Sequence, residues 1–181
     1  MEASTKAKWT RYTVEQRQAA RPEAPLKLKE IWAIRVRLLL NHRTRELALF
    51  NLAIDSKVRE CDLVALRVQD VVQGSHVANR AIVMQKKTRW PVQFELTEQT
   101  RDAVDARITT AHLKPEQFLF PSRVTESLHL STRQYSRLGS WVESIGLDRA
   151  AYGAHSMRRT KPTLIYRRTR NLRAVQLLLG H

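Results

Sequence analysis

Apolar residues recur along most of this chain at the three- and four-residue spacing of amphipathic helices. The first clear stripe consists of Leu28, Ile31, Ile34 and Leu38, which fall on one face of a helix predicted over 26–40. A helix buries such a stripe against the rest of the fold and leaves its other face in solvent. The same spacing predicts further helices at about residues 44–54, 62–66, 98–111, 132–145, 156–168 and 171–179.

Between the third and fourth of these helices, the pattern changes to short extended runs. Residues 81–84 and 92–96 are predicted to form the two strands of a hairpin, and Pro91 marks the entry to the second strand. The turn between them contains Lys86, Lys87, Thr88 and Arg89. The predicted fold class is therefore mainly α with a small antiparallel β-sheet (α+β).

Residues 1–25 differ from the rest of the chain because they are polar and basic. Pro22 and Pro25 stand close together at their end, a composition typical of a mobile arm. No glycine-rich linker, internal repeat or low-complexity tract divides the remainder. We therefore expect a flexible basic arm over 1–25 and one domain over 26–181.

Positive charge is the strongest compositional feature. The 181 residues include 32 Lys and Arg against 17 Asp and Glu, a formal net charge of +15, and 23 of the basic residues are arginines. The planar guanidinium matches the geometry of phosphate oxygens. Residues 151–181 hold six Arg and one Lys with no acidic residue to pair with them. This excess favours a polyanionic partner, nucleic acid above all.

The sequence also excludes several classes of protein. Its one cysteine, Cys61, rules out an internal disulfide framework and a cysteine-rich zinc site, so we expect no metal and no cofactor. The N-terminus lacks the apolar segment of a signal peptide, and no apolar run approaches the ~18 residues that cross a bilayer. We expect an intracellular protein that makes no membrane contact.

Candidate chemistry lies near the C-terminal end. His155 and Arg158 are three residues apart, so both can face one direction in the first turn of a helix that Ser156 is placed to cap. A helix N-terminus favours an anion, and a His and an Arg there can clamp a phosphate. Further on, Gly180 is a typical C-cap residue for an apolar helix and projects His181 from its end.

These residues together resemble the tyrosine recombinase (phage integrase) family. The resemblance is carried by His155-x-x-Arg158, followed by Leu178-Leu179-Gly180-His181 at the family's spacing. It extends over about 26–181 and covers the catalytic domain. It leaves no room for the N-terminal DNA-clamping domain that many members carry.

Two earlier segments resemble the family's remaining boxes. Residues 56–66, in which Arg59 stands three residues before Asp62, resemble the first catalytic box. The run Gln85-Lys86-Lys87-Thr88 in the predicted hairpin turn resembles the lysine box, and Lys87 is the better match because it directly precedes the threonine.

The resemblance implies phosphoryl transfer, without a metal, from DNA to a tyrosine hydroxyl. Arg59 and Arg158 would neutralise the charge on the non-bridging phosphate oxygens. Lys87 would protonate the departing 5′ oxygen as a general acid. His155 would relay a proton or orient the nucleophile, and His181 would donate a hydrogen bond to the phosphate. Further DNA contacts are expected from Lys86, Arg89, Arg159 and Arg173.

Several of these residues also have purely structural interpretations. Arg59 can form a surface ion pair with Asp62, which otherwise orients Arg59 or caps a helix. Lys87 can be an ordinary turn lysine that blunts an edge strand. We expect Tyr166 to pack in the core, and we expect core or hairpin packing for Trp32, Trp90 and Trp141.

The sequence departs from the family at its nucleophile. The family's tyrosine follows the box at 178–181, on the next short helix, and none of the four tyrosines stands there: Tyr12, Tyr135, Tyr152 and Tyr166. We therefore expect this chain to bind DNA without cleaving it. Glu60 is expected to offset part of the charge of Arg59, and Pro162 is placed in the first turn of its helix, where proline is tolerated.

The leading interpretation is the catalytic domain of a site-specific DNA recombinase or integrase from a mobile element. Its expected partner is double-stranded DNA in the bacterial or phage-derived cytoplasm and nucleoid, and the full-length protein would be a monomer when free and a tetramer on DNA. The alternative is a non-catalytic DNA-binding module or regulator derived from a recombinase. A basic RNA-binding domain leaves the spacing of the boxes unexplained, and a type IB topoisomerase is less favoured because the box at 178–181 is recombinase-like.

Overall fold

The structure of the chain is a computed structural model that describes residues 23–123, 127–135 and 139–179. The helices in these ranges are α1 Leu28–Leu40, α2 Thr44–Ser56, α3 Glu60–Leu63, α4 Glu98–Thr110, α5 Thr132–Tyr135, α6 Gly139–Ser144, α7 Ala154–Thr169 and α8 Leu172–Leu179. Single turns of 3-10 helix lie at Val68–Asp70 and Arg149–Ala151. No helix in the described ranges is both long enough and apolar enough to cross a bilayer.

Two small antiparallel sheets lie between α3 and α4. Strands β1 (Val72–Gln73) and β2 (His76–Val77) form the first, and β3 (Arg80–Met84) and β4 (Pro91–Glu95) form the second. In the second sheet Arg80 pairs with Glu95. The predicted class, mainly helical with an antiparallel sheet, is confirmed. The pattern did not resolve the first sheet because two-residue strands carry too little alternation to detect.

Helix α2 is the centre of the fold. Every residue from Ala48 to Ser56 is buried, because α1, α4, α7 and β4 all pack against this helix. Trp141 of α6 meets Phe50 of α2 edge-on, with ring centroids 5.5 Å apart. A helix surrounded in this way needs apolar residues on all sides. Its buried carboxylate, Asp55, lies at the C-terminal end, where the candidate site begins.

Three predicted helix boundaries need correction. The helix predicted over 62–66 begins earlier, at Glu60, because the extended backbone of Arg59 provides its N-terminal boundary. The helix predicted over 132–145 is described as α5 and α6, and residues 136–138 between them lie outside the described ranges. Since α7 begins at Ala154, Pro162 lies in its interior, and the prediction that it lies in the first turn is wrong.

The position of Pro162 affects the backbone of the candidate site. In an α-helix the carbonyl of residue i accepts from the N–H of residue i+4, and proline has no N–H. The carbonyl of Arg158 therefore has no helical donor. The proline ring, which is itself buried, occupies that place.

The aromatic residues follow the prediction only in part. Trp141 is buried, as expected. Trp32 and Trp90 are 49% and 73% exposed and Tyr166 is 39% exposed, so the prediction of core or hairpin packing is wrong for these three. A helical pattern shows that a side chain is apolar but not whether another element covers it.

The segment Glu23–Leu26, called here the N-terminal strap, runs along α7. The backbone N–H of Ala24 donates to the carbonyl of Ala151 at 3.0 Å. The N–H of Leu26 donates to Oγ1 of Thr160, also at 3.0 Å, and the Leu26 side chain is buried in the core. The strap therefore fixes the N-terminal half of α7 against the rest of the domain.

Candidate active site

The position of Arg59 is set by the way α2 ends. Lys57 adopts a left-handed backbone conformation with φ of +56°, which is uncommon for a residue with a side chain and reverses the chain after Ser56. Arg59 then takes the extended conformation that precedes α3. Its half-buried side chain consequently lies beside the C-terminal end of α2.

The first turn of α7 is held by two side-chain hydrogen bonds. Oγ of Ser156 accepts from the backbone N–H of Gly153 at 3.1 Å, and Oε2 of Glu23 accepts from the N–H of Ser156 at 3.2 Å. These bonds satisfy donors that a helix start leaves free. They fix the turn that carries His155, which is exposed, and Arg158, which is half-buried.

Arg59, His155 and Arg158 line one open cavity of about 310 Å³. The fold therefore brings together three of the five predicted catalytic residues. The two arginines among them are 99 positions apart in the sequence. The other residues that line this cavity are Ala53, Val58, Glu60, Cys61, Thr132, Tyr135 and Ala154. Its walls thus come from α2, α3, α5 and α7.

Two arginines beside one cavity create a site that favours an anion. Burial and then the charge of Arg59 lower the pKa of Arg158, while Asp62 raises it. The two guanidiniums therefore repel each other across the partly desolvated cavity. A phosphate group between them would relieve this repulsion and accept hydrogen bonds from both.

A carboxylate also lies in the cavity wall. Burial raises the pKa of Glu60, and the nearby charge of Glu23 raises it further, while His155 opposes the shift. Glu60 thus lies in the cavity wall close enough to His155 for their charges to interact. That its charge offsets that of Arg59 stays a prediction.

The β3–β4 hairpin is joined to α3 beside Arg59. Oε1 of Gln85 accepts from Nη1 of Arg59 at 2.7 Å, and Oδ1 of Asp62 accepts from the backbone N–H of Lys86 at 3.0 Å. Asp62 forms no ion pair with Arg59 among the described residues, so that structural interpretation of Arg59 is wrong. Oδ2 of Asp62 is buried without a hydrogen-bond partner in the described chain.

The remaining predicted residues lie around this cluster or outside the described ranges. Lys87 is exposed in the hairpin turn and does not line the cavity. His181 lies outside the described residues, two positions beyond the end of α8. The four residues predicted to contact DNA are all exposed: Lys86, Arg89, Arg159 and Arg173.

Sequence reasoning missed three residues at this site. The sequence indicates Gln85 only as part of the lysine box, two positions before Lys87. Cys61 was considered for disulfides and metals but not as a wall of the cavity. Glu23 was assigned to the arm because nothing local shows a contact with Ser156, 133 residues away.

Two tyrosines within the described residues, Tyr135 and Tyr152, have a raised pKa. Burial raises the pKa of Tyr135, which lines the cavity but is almost fully buried. Burial and Glu30 raise the pKa of Tyr152. Tyr12 lies outside the described residues. Within these ranges no three His, Cys, Asp or Glu side chains lie together in a way that could hold a metal ion.

The phage integrase family matches residues 29–181. The chain belongs to this family. A Bacillus subtilis (strain 168) protein described as a probable integrase/recombinase, YoeC, is 27% identical to it over 143 residues, which are 79% of this chain and 75% of that protein.

Solved recombinase structures share the fold of this family member. The XerA recombinase matches with a TM-score of 0.71 and 20% identity, over 89% of this chain and 58% of that one. XerH bound to its difH substrate matches with a TM-score of 0.68 and 19% identity, over 88% of this chain and 48% of that one. The Tn1549 transposon integrase with circular intermediate DNA matches with a TM-score of 0.65 and 17% identity, over 90% of this chain and 59% of that one. The chain thus spans roughly half the length of these recombinases.

Proposed function

We propose that this phage integrase domain is the catalytic domain of a site-specific recombinase and that its cavity binds a backbone phosphodiester of duplex DNA. One observation carries the proposal: Arg59 and Arg158 line the same cavity at the N-terminal turn of α7. Two guanidiniums at a helix N-terminus form a strong site for a phosphate. The DNA complexes of XerH and of the Tn1549 integrase support the same substrate class.

The proposed chemistry assigns one role to each residue. Arg59 and Arg158 bind the non-bridging oxygens and stabilise the charge that develops on them. A tyrosine oxygen forms the new bond to phosphorus while the bond to the 5′ oxygen breaks, and Lys87 gives that oxygen a proton. His155 takes the tyrosine proton or orients the nucleophile, and His181 donates a hydrogen bond to the phosphate. Lys86, Arg89, Arg159 and Arg173 hold neighbouring phosphates.

We further propose that residues 1–181 alone bind DNA without becoming covalently attached to it. Tyr135 is buried with a raised pKa, and neither Tyr152 nor Tyr166 lines the cavity. A nicked duplex that traps covalent recombinase intermediates should therefore give no adduct with this chain. An adduct would mean that one of the chain's own tyrosines reaches the phosphate.

A second candidate function is a non-catalytic DNA-binding module derived from a recombinase. The observation that favours it is Glu60, a carboxylate in the wall of a cavity that must bind an anion. The nucleotide sequence that follows the codon for His181 distinguishes the two candidates. A reading frame that continues into a helix with a tyrosine supports the recombinase, whereas a stop codon supports the module.

Cys61 provides a direct test because it is the chain's single cysteine and lines the cavity. Duplex DNA should slow the reaction of Cys61 with a maleimide, measured at alkaline pH because burial raises the pKa of this thiol. Duplex affinity should also fall steeply with salt. A saturating duplex that leaves the alkylation rate unchanged would remove the proposed site.

Arginine variants locate the binding within the fold. Arg59→Ala and Arg158→Ala should each weaken duplex binding by about tenfold, the loss expected for one charge-assisted contact. Arg43→Ala is the matched control because it removes the same charge at the opposite end of α2. Equal losses in all three variants would indicate general charge attraction instead of a specific cavity. An RNA duplex should compete poorly, since its A-form grooves differ in shape.

The assembly state follows from the same proposal. We expect the 181-residue chain to be a monomer in solution and the full-length recombinase to form a tetramer on paired DNA sites in the bacterial nucleoid. Light scattering of the free chain tests the first part. A stable tetramer without DNA would contradict it.

A further inference from the structure

Gln85 connects Arg59 to the turn that carries Lys87, and the proposed chemistry gives Arg59 and Lys87 separate roles. Its Oε1 accepts from Nη1 of Arg59 at 2.7 Å and from Oγ1 of Thr88 at 2.8 Å. An amide oxygen has two lone pairs, so it can accept both hydrogen bonds at once. The residue is only 6% exposed, so few water molecules compete for this oxygen.

The backbone of Gln85 also closes the hairpin turn. Its N–H donates to the carbonyl of Trp90 at 3.0 Å, and its carbonyl accepts from the N–H of Arg89 at 2.9 Å. Residues 86–88 form the exposed turn above this closure, with Lys87 at its centre. Among the described residues, hydrogen bonds hold the turn at its base, where Gln85 stands, and through the N–H of Lys86, which donates to Asp62.

We propose that Gln85 is a positioning residue that couples the orientation of Arg59 to the conformation of the turn that carries Lys87. This inference rests on the proposed function, because it takes Arg59 as a phosphate ligand. A guanidinium has five N–H donors, and Gln85 occupies one of them. When the others bind a phosphate, the guanidinium becomes fixed. The shared amide oxygen then holds Thr88, and with it the adjacent Lys87.

The amide is the side chain that suits this role. A carboxylate at the same place would accept the same two hydrogen bonds but would neutralise the charge with which Arg59 attracts phosphate. A leucine has similar volume and no acceptor, so it would leave both donors without their partner. Gln85 orients Arg59 and leaves its positive charge available.

Hydrogen exchange of the turn provides the test. In the parent chain, duplex DNA should slow amide exchange of residues 86–89 by about tenfold or more. In Gln85→Leu most of this DNA-induced slowing should be lost, except for what direct contacts of Lys86 and Arg89 with DNA retain, and duplex affinity should fall by about threefold to tenfold. Gln93→Leu is the matched control, because Gln93 is exposed on β4 of the same hairpin.

Variants of Thr88 separate coupling from a general structural effect. Thr88→Val removes the turn side of the bridge and leaves the bond between Gln85 and Arg59 intact. It should reduce the DNA-induced protection of the turn as much as Gln85→Leu does, while duplex affinity stays within about twofold. Thr88→Ser keeps a hydroxyl and should restore the protection. A role limited to folding would not distinguish valine from serine in this way.

The outcomes separate this inference from the function on which it rests. A parent chain that shows neither Cys61 protection nor salt-dependent duplex binding contradicts the proposed function. A parent that binds DNA, with equal turn protection in Gln85→Leu and Gln93→Leu, overturns only the coupling. If Gln85→Leu fails to fold by circular dichroism, turn protection that persists in Thr88→Val overturns the coupling instead.

Discussion

The ammonium of Lys161 lies 2.9 Å from Oδ1 of Asp55, and this ion pair joins the end of α2, shortly before Arg59, to α7, which carries Arg158. Asp55 is in the last turn of α2, four residues before Arg59, and its side chain is only 3% exposed. Lys161 lies on α7, three residues after Arg158. The other oxygen of Asp55 accepts hydrogen bonds at the start of α4 from the N–H and Oγ1 of Thr97 and Oγ1 of Thr100.

Removing Asp55 should therefore destabilise the whole domain. Asp55→Ala leaves Lys161 and the α4 donors without their acceptor, and loss of one partner from a buried ion pair lowers the free energy of unfolding by about 3–5 kcal/mol. Urea unfolding measures this change. The exposed pair of Arg80 and Glu95 provides the control, since Glu95→Gln should change the free energy by less than about 1 kcal/mol. Equal effects of the two substitutions would contradict the role of Asp55.

The same residue predicts how stability depends on pH. Burial alone would raise the pKa of Asp55, but Lys161 and the hydrogen bonds from Thr100 and Thr97 outweigh it and hold the pKa below its ordinary value. A carboxyl whose pKa is lower in the folded state than in the unfolded state stabilises the fold at pH values above its unfolded-state pKa of about 4. This contribution is lost as the pH falls through the folded-state pKa. The free energy of unfolding should therefore decline below about pH 4. Asp55→Asn should show a shallower decline, and an unchanged slope would contradict the prediction.

Glu60→Gln should strengthen DNA binding. The substitution removes a negative charge from the cavity wall while keeping the shape of the side chain, so a phosphate meets less repulsion. We expect a gain in duplex affinity of about threefold to tenfold, measured by fluorescence anisotropy at neutral pH. Glu98→Gln, at an exposed position on α4, is the control for the change in net charge. A loss of affinity in Glu60→Gln would show that the carboxylate instead orients Arg59 or His155.

A double-mutant cycle can test the contact between the N-terminal strap and α7. A Cβ on Gly153 would collide with the carboxylate of Glu23, so Gly153→Ala should displace this carboxylate from the N–H of Ser156. The loss of a carboxylate at a helix start lowers the free energy of unfolding by about 1 kcal/mol. Gly153→Ala and Glu23→Ala should each produce a loss of this size, and the double variant should be little worse than Glu23→Ala alone. Additive losses would mean that the two residues act independently.

Most helices of the fold could be predicted from the sequence because their apolar stripes are local patterns. The spacing of Leu28, Ile31, Ile34 and Leu38 located α1 to within two residues at its start. The start of α3 could not be placed, because it depends on the left-handed turn at Lys57, and a lysine gives no signal for that conformation. The exposure of Trp32 and Trp90 likewise depends on which elements pack nearby, and the spacing of apolar residues does not contain this information.

The candidate site was predictable to the extent that its residues stand in short recognisable runs. Arg59, His155 and Arg158 were each selected from such a run, and the fold places all three on one cavity. The contacts that hold them were not predictable. Lys161 is 106 residues from Asp55, and a single sequence contains no pattern that pairs residues so far apart.

The N-terminal strap has a consequence for the order in which the domain can assemble during synthesis. Leu26 leaves the ribosome before its hydrogen-bond partner Thr160, which is made 134 residues later. Until then the N–H of Leu26 lacks this acceptor, and closing so long a loop slows folding. The cavity can therefore form only after α7 has emerged. A growing chain would carry its basic segments before it has any specific place to hold DNA.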